Sequence, residues 1–180
     1  MSSAEASSST QGRLRTRVAV FVSLAVVLIA FDQFTKYLAV AKLSGGEVYT
    51  VIPRVLSFRL LYNPGATLGL GSGSTWIISV AAIIACVVLL VLALKTVSTR
   101  WSAALAIAFA GAAGNLVDRI LHATSFLNGK VTDFLDYGWS VGNVADAYLT
   151  IAAVFIVVLV LMSVPFLQAP DAGEERSTDE

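Results

Sequence analysis

The chain has 180 residues, with 57% hydrophobic and 13% charged residues and a mean hydropathy of +0.80, a length that suits one domain. A soluble domain carries about 25% charged residues, so a core of this size cannot hide the apolar surface, and lipid must be the solvent for much of it. The formal net charge of zero gives no basic footprint for a nucleic acid, and the single cysteine, Cys86, excludes an internal disulfide.

Residues 1–16 open with the Ser-rich stretch MSSAEASSSTQG, which lacks apolar periodicity and predicts a disordered tail. Arg13, Arg15 and Arg17 then precede an apolar run over 18–40. Roughly 20 helical residues cross a hydrocarbon core of about 30 Å. The run is long enough, and no clear A-x-A-like cleavage site follows the apolar stretch, so it reads as a retained helix and not a signal peptide.

The next segment, 41–74, carries EVYTVIP and VLSFRLLYN between Gly45–Gly46 and Pro64–Gly65. β-formers bounded by turn residues predict a small sheet over about 45–65; a floppy loop is the alternative. Gly69, Gly71 and Gly73 read as a flexible turn into the second span, since they lack the helix and lysine of a phosphate loop. Spans two, three and four are expected at about 75–94, 101–121 and 142–167. The acidic stretch 169–180 is expected to be a second disordered tail. Residues 17–168 then form one membrane domain.

Lys95 and Arg100 fill the short link between spans two and three. In an alternating topology they share a side with Arg13, Arg15 and Arg17, which makes that side cytoplasmic and puts both termini there. Segments 41–74 and 122–141 are then extracytoplasmic. The fold class expected is an all-α membrane protein with four transmembrane helices and a small extracytoplasmic β-sheet.

Charges inside spans are costly and mark function. At 1.5 Å per residue, Asp32 lies about 21 Å, Asp118 about 26 Å and Asp146 about 32 Å from the inner boundary. The carboxylates therefore gather in the outer part of the membrane. Lys36 follows Asp32 at i+4 on one helix face. Asn115, Asp118 and Arg119 share a face of span three, where Ala106, Ala110 and Gly114 permit close helix approach. Asp118–Arg119 and Asp32–Lys36 each read equally as structural ion pairs or as parts of a site. Asp133, in VTDFLDYG, and Asp146, in GNVADAYLT, have no cation at helical spacing. Asp136 reads as a solvated loop residue, and His122 as a satisfied interface residue.

If Asp133 and Asp146 meet, like charges prevent both from ionising and one proton is shared. The ionised member can take a proton from water while the protonated member polarises a peptide carbonyl, as in aspartic proteases. Neither H-E-x-x-H nor G-x-S-x-G is present, and no metal or cofactor is expected. Intramembrane carboxylates also mark ion pathways, so an ion-coupled transporter is the rival reading; against it, the inner halves of the spans carry no polar path and no inverted repeat is evident. A non-catalytic membrane assembly factor is a third.

Five blocks in order, FDQFTKYLA (31–39), YNPGATLGL (62–70), GAAGNLVDRI (111–120), VTDF (131–134) and NVADAYLT (143–150), resemble the lipoprotein signal peptidases (signal peptidase II). The resemblance implies four transmembrane helices with an extracytoplasmic β-cradle in a bacterial cell membrane. It implies cleavage of diacylglyceryl-modified prolipoproteins just before the lipidated cysteine. It implies catalysis by Asp133 and Asp146, supported by Asn63, Asn115, Asp118, Arg119 and Asn143, with Asp32 and Lys36 in the polar block of the first helix. It further implies membrane lipid as a partner, a monomer, and the antibiotic globomycin as an inhibitor. The 12 residues between Asp133 and Asp146 are fewer than in many members, which bears on the length of a gating loop.

Overall fold

The computed structural model describes residues 3–65 and 75–167. In chain order the elements are α1 (Ser3–Leu43), β1 (Val48–Ile52), β2 (Leu56–Asn63), α2 (Thr75–Lys95), α3 (Thr99–Leu121), β3 (Val131–Asp136), β4 (Val141–Gly142) and α4 (Val144–Leu161). Four helices are long and apolar enough to cross a membrane, α1 contributing Arg13–Leu43. The four strands form one antiparallel sheet in the order β1-β2-β3-β4.

Helix α3 is the hub and packs against α1, α2 and α4. Its small residues explain why: Ala104, Ala106, Ala110, Gly111 and Gly114 are buried, and side chains this small let backbones come close in lipid. At Gly114 an added Cβ would lie 2.6 Å from Asp32 Oδ2 and 3.3 Å from Ala145 Cβ. That one glycine therefore lets α1 and α4 reach α3 at the same level.

At the basic end of the bundle, the guanidinium of Arg17 donates to the Thr96 carbonyl. Ser102 Oγ donates to the Arg17 carbonyl at 2.8 Å, and Thr96 Oγ1 to the Phe166 carbonyl at 3.0 Å. These bonds tie α1, the α2–α3 link and the segment after α4 together.

Several sequence expectations change. Helix α1 begins at Ser3, where 1–16 had been expected to be irregular. Extending an existing helix adds a hydrogen bond per residue without a new nucleation cost. Helix α4 ends at Leu161, with Met162 as C-cap, short of the expected 167. Pro165 lies just beyond, and proline disfavours helix in the residue before it. This moves Asp146 from about 32 Å to about 23 Å above the inner end of its helix.

The sheet is larger than 45–65. Its strand β3 comes from the segment 122–141, and β4 straddles the end of that segment and the expected start of span four at 142. The glycine turn at 69–73 and the acidic stretch 169–180 lie outside the described residues.

The sheet stands on the end of α1. Phe134 is buried with Ala39 and Leu43, and Phe58, Leu60, Leu135 and Val144 pack on that cluster. Side chains alternate along a strand, so while Phe134 anchors β3 to α1, its neighbour Asp133 faces the other way.

Candidate active site

Asp133 and Asp146 reach the site from different elements, β3 and the first turn of α4. Leu61 on β2 is directly opposite Asp133, and Asn63 pairs with Val131. Asn63 is thus the diagonal same-face neighbour of Asp133, within reach of a long side chain. Its Nδ2 donates to Asp133 Oδ2 at 2.8 Å. Asn143 Nδ2 donates to Asp133 Oδ1 at 2.5 Å.

Asn143 is also the N-cap of α4 in a capping box. Its side chain accepts from Asp146 N at 3.2 Å, and its backbone N–H donates to Asp146 Oδ2 at 3.1 Å. One asparagine therefore holds both carboxylates. Asn115 closes the ring, donating from Nδ2 to Asp146 Oδ1 at 2.9 Å and accepting from Asn143 Nδ2 at 3.1 Å.

Each asparagine has its amide orientation fixed independently. Asn63 Oδ1 accepts from Gly65 N at 2.9 Å, Asn143 Oδ1 from Asp146 N, and Asn115 Oδ1 from Lys36 Nζ at 3.2 Å. All three consequently present N–H groups to the carboxylates. Asp133 is 2% exposed. Burial pushes its carboxyl up to about 6, aided by the Asp146 charge; the Asn63 and Asn143 bonds and the Lys36 cation pull the other way.

Behind this ring lies a buried charge cluster. Lys36 Nζ is 2.9 Å from Asp32 Oδ2 and 3.2 Å from Asp118 Oδ2. Asp32 Oδ1 accepts from Ala145 N at 2.9 Å, next to Asp146 in the chain, and Asp118 Oδ2 from Thr132 N at 2.8 Å, next to Asp133. Each outer acid thus braces the backbone beside one inner acid.

The Asp118–Arg119 ion pair that was one of the sequence readings is not formed. Asp118 turns to Lys36, while Arg119 donates to the Gly65 carbonyl at 2.9 Å and the Asn115 carbonyl at 3.3 Å. Consecutive helix residues point about 100° apart, so they need not share a partner. Arg119 lines the cleft of the dyad, and its buried Nε has no hydrogen-bond partner. The Asp32–Lys36 pair does form, and it joins the network. Asp136 is the last residue of β3, paired with Arg59 at 3.0 Å. His122 Nδ1 lies 3.1 Å from the Lys130 carbonyl.

Sequence reasoning passed over Gln33, whose Nε2 is 3.1 Å from Asp32 Oδ2, the Gly114 carbonyl and Asp118 Oδ1. An amide beside an acid inside an apolar run was the signal for it. It also passed over Gly142, where an added Cβ would lie 2.9 Å from Asp146 Oδ2; no local pattern marks that contact.

The dyad sits at the head of a cleft of about 360 Å³. Asn63, Asn115, Arg119, Asp133, Asn143 and Asp146 form its polar end. Ile78, Ala81, Ala82 and Ala85 of α2, Ala112 of α3 and Leu149 of α4 form an apolar wall. Such a groove has room for an extended chain that carries apolar groups past the paired carboxylates. Among the described residues no group of three or more His, Cys, Asp or Glu is arranged to hold a metal ion.

Known proteins resemble this chain in sequence and in fold. Residues 24–162 match the family described as signal peptidase (SPase) II. A lipoprotein signal peptidase of Bifidobacterium longum subsp. infantis is 60% identical over 156 residues, covering 87% of this chain and 86% of that one. One from Rhodococcus jostii is 37% identical over 147 residues, covering 81% and 74%. A bacterial membrane enzyme solved by the in meso method at 2.3 Å resolution superposes with a TM-score of 0.70 at 31% identity, covering 81% of this chain and 90% of that one. A four-helix membrane protein with this sheet and these matches belongs to the signal peptidase II family of peptidases.

Proposed function

We propose that the chain is an aspartyl endopeptidase that removes the signal peptide of diacylglyceryl-modified bacterial prolipoproteins, cutting just before the lipidated cysteine. The observation that carries the reading is Asn143, which hydrogen-bonds both Asp133 and Asp146 at the head of the cleft.

One carboxylate of the pair takes a proton from a water as its oxygen attacks the scissile carbonyl carbon. The other gives its proton to the carbonyl oxygen, so a neutral tetrahedral diol forms. Collapse of the diol breaks the C–N bond, the departing nitrogen takes a proton, and the dyad regains its single shared proton. Arg119 Nε, a buried donor without a partner in the cleft wall, supplies a hydrogen bond for a substrate carbonyl.

A lipid-bearing substrate enters sideways from the bilayer, which the apolar wall of α2, α3 and α4 suits. Contact between Arg17 and Thr96 gathers Arg13, Arg15, Arg17, Lys95 and Arg100 toward one end of the bundle. By the positive-inside rule that end is cytoplasmic. The dyad, nearer the other end, then faces the extracytoplasmic side.

The test is processing of a diacylglyceryl prolipoprotein by Asp133→Asn and Asp146→Asn proteins inserted normally in the membrane. Both should leave the precursor uncut. Mature lipoprotein at wild-type rate from either variant rejects the dyad.

A further inference from the structure

The dyad alone does not say which acid begins with the proton; the surrounding donors do. We infer that Lys36 is a positioning residue that acts through the side-chain amide of Asn115 to hold Asp146 as the base of the pair, leaving Asp133 as the acid. This rests on the dyad reading and deepens it.

Among the described residues, Asn115 is the one side chain that hydrogen-bonds both Lys36 and a carboxylate of the dyad. Its Oδ1 accepts from Lys36 Nζ at 3.2 Å, and its Nδ2 donates to Asp146 Oδ1 at 2.9 Å. A flipped Asn115 would aim its NH2 at the lysine ammonium and its oxygen at the Asp146 carboxylate, two repulsive contacts in place of two attractive ones. Lys36 thereby fixes the direction of the amide. A cation on the acceptor end also polarises the amide and strengthens the bond given at the donor end.

Asp146 gains further support that Asp133 lacks. It sits in the first turn of α4, where the helix dipole favours negative charge, and it accepts from the backbone N–H of Asn143. Asp133 lies on a strand and accepts from two neutral amides. Negative charge is therefore better stabilised on Asp146, and the shared proton stays on Asp133.

The charged and titratable groups around Lys36 and the dyad, among the described residues, are Asp32 on α1, Asp118 and Arg119 on α3, Asp133 on β3, Tyr137 after it, and Asp146 and Tyr148 on α4. Lys36→Met alone would leave Asp32 and Asp118 buried without their cation, which breaks folds. The test therefore uses Asp32→Asn/Lys36→Met. It leaves the net charge of the buried cluster unchanged and keeps an acceptor for Ala145 N. It removes the lysine bonds to Asn115 and to the Gly114 carbonyl and the 3.2 Å contact with Asp118, which keeps its bonds from Thr132 N and Gln33.

With a diacylglyceryl lipopeptide in detergent, kcat should fall at least about tenfold. KM should stay within about twofold, and the acid limb of the kcat profile should move up by about one pH unit. The singly ionised pair loses support, so more alkaline solution is needed to hold the dyad in that form. A second variant, Asn115→Asp, keeps the shape but cannot donate to Asp146; it should lose kcat and shift the acid limb in the same sense. Wild-type kcat with an unmoved acid limb in either folded variant overturns the inference, as does a loss confined to KM. Asp146→Asn run alongside separates the two readings. If it still cleaves, the dyad itself falls. If it is inactive while the double variant matches wild type, only the role of Lys36 falls.

Discussion

Asp133 offers a test that joins stability to chemistry. Burial lifts its carboxyl from 3.8 in the unfolded chain to about 6 in the fold. A group whose folded value is raised stabilises the folded state fully below the unfolded value, and this contribution is lost as pH rises through the folded value. The rise corresponds to roughly 3 kcal/mol, and Asp133 is almost wholly buried, so solvent screening takes little from it. Above pH 6 the native protein therefore carries a penalty that Asp133→Asn does not. The asparagine has its own constant cost, because its NH2 group must face one of the two amide donors, from Asn63 or Asn143, that the carboxylate accepts. That cost does not vary with pH and cancels when two pH values are compared. Thermal unfolding of both proteins in detergent, at about pH 3.5 and about pH 7.5, should show the wild-type melting temperature falling against the variant by roughly 6–12 °C. A gap that stays constant with pH would mean that Asp133 is not held near 6, and would remove its claim to carry the shared proton at working pH.

Four shorter predictions test other contacts. Gly142→Ala would set a Cβ 2.9 Å from Asp146 Oδ2, an atom already held by the Asn143 N–H. Displacing a reacting group by about an ångström should lower kcat roughly a hundredfold with the melting temperature little changed, and wild-type turnover would show that the carboxylate has room to move. Gly114→Ala drives a Cβ toward Asp32 Oδ2, which Lys36 and Ala145 hold in place, so unfolding should become easier by about 1–3 kcal/mol. Ala82→Trp fills the apolar wall of the cleft and should raise KM for a lipidated peptide about tenfold; unchanged KM would mean that substrate enters elsewhere. Cleavage in EDTA should proceed at the untreated rate, since the proposed dyad uses no metal, and chelator-sensitive activity would refute it.

The sequence made the membrane helices legible because hydropathy is a local signal. The spans 75–94 and 101–121 match α2 and α3 within two residues. The expected 142–167 overran because apolar residues continue past Leu161, where Pro165 turns the chain away from helix. The sheet was only half visible. The pairing of β2 with β3 joins residues about 70 apart in the chain, and the two aspartates in VTDFLD interrupt the run of β-formers in β3. Depth arguments brought Asp32, Asp118 and Asp146 near one another, with Asp146 set about 9 Å too far out, but they carry no azimuth. They could not say that Asp118 turns to Lys36 while Arg119 turns into the cleft. Nor could they find Asn143 as a bridge, since its role depends on being both a helix cap and a neighbour of a strand from another segment.

The same physics explains why so many polar groups are tolerated here. Buried charges are stable only when paired and hydrogen-bonded. Each outer acid meets the one lysine, and each also accepts a backbone N–H, Ala145 at the start of α4 or Thr132 on β3. Those N–H groups would otherwise need partners of their own: a helix leaves its first donors unsatisfied. The acids thus satisfy the backbone at the two points where Asp133 and Asp146 are carried, and the inner pair is aimed by the bonds that make the outer pair bearable. Stability and aim therefore cannot be separated by deleting one acid. An Asp32 or Asp118 variant will lose folding and activity together, and only substitutions that conserve the charge of the cluster can tell an orienting contact from a merely stabilising one.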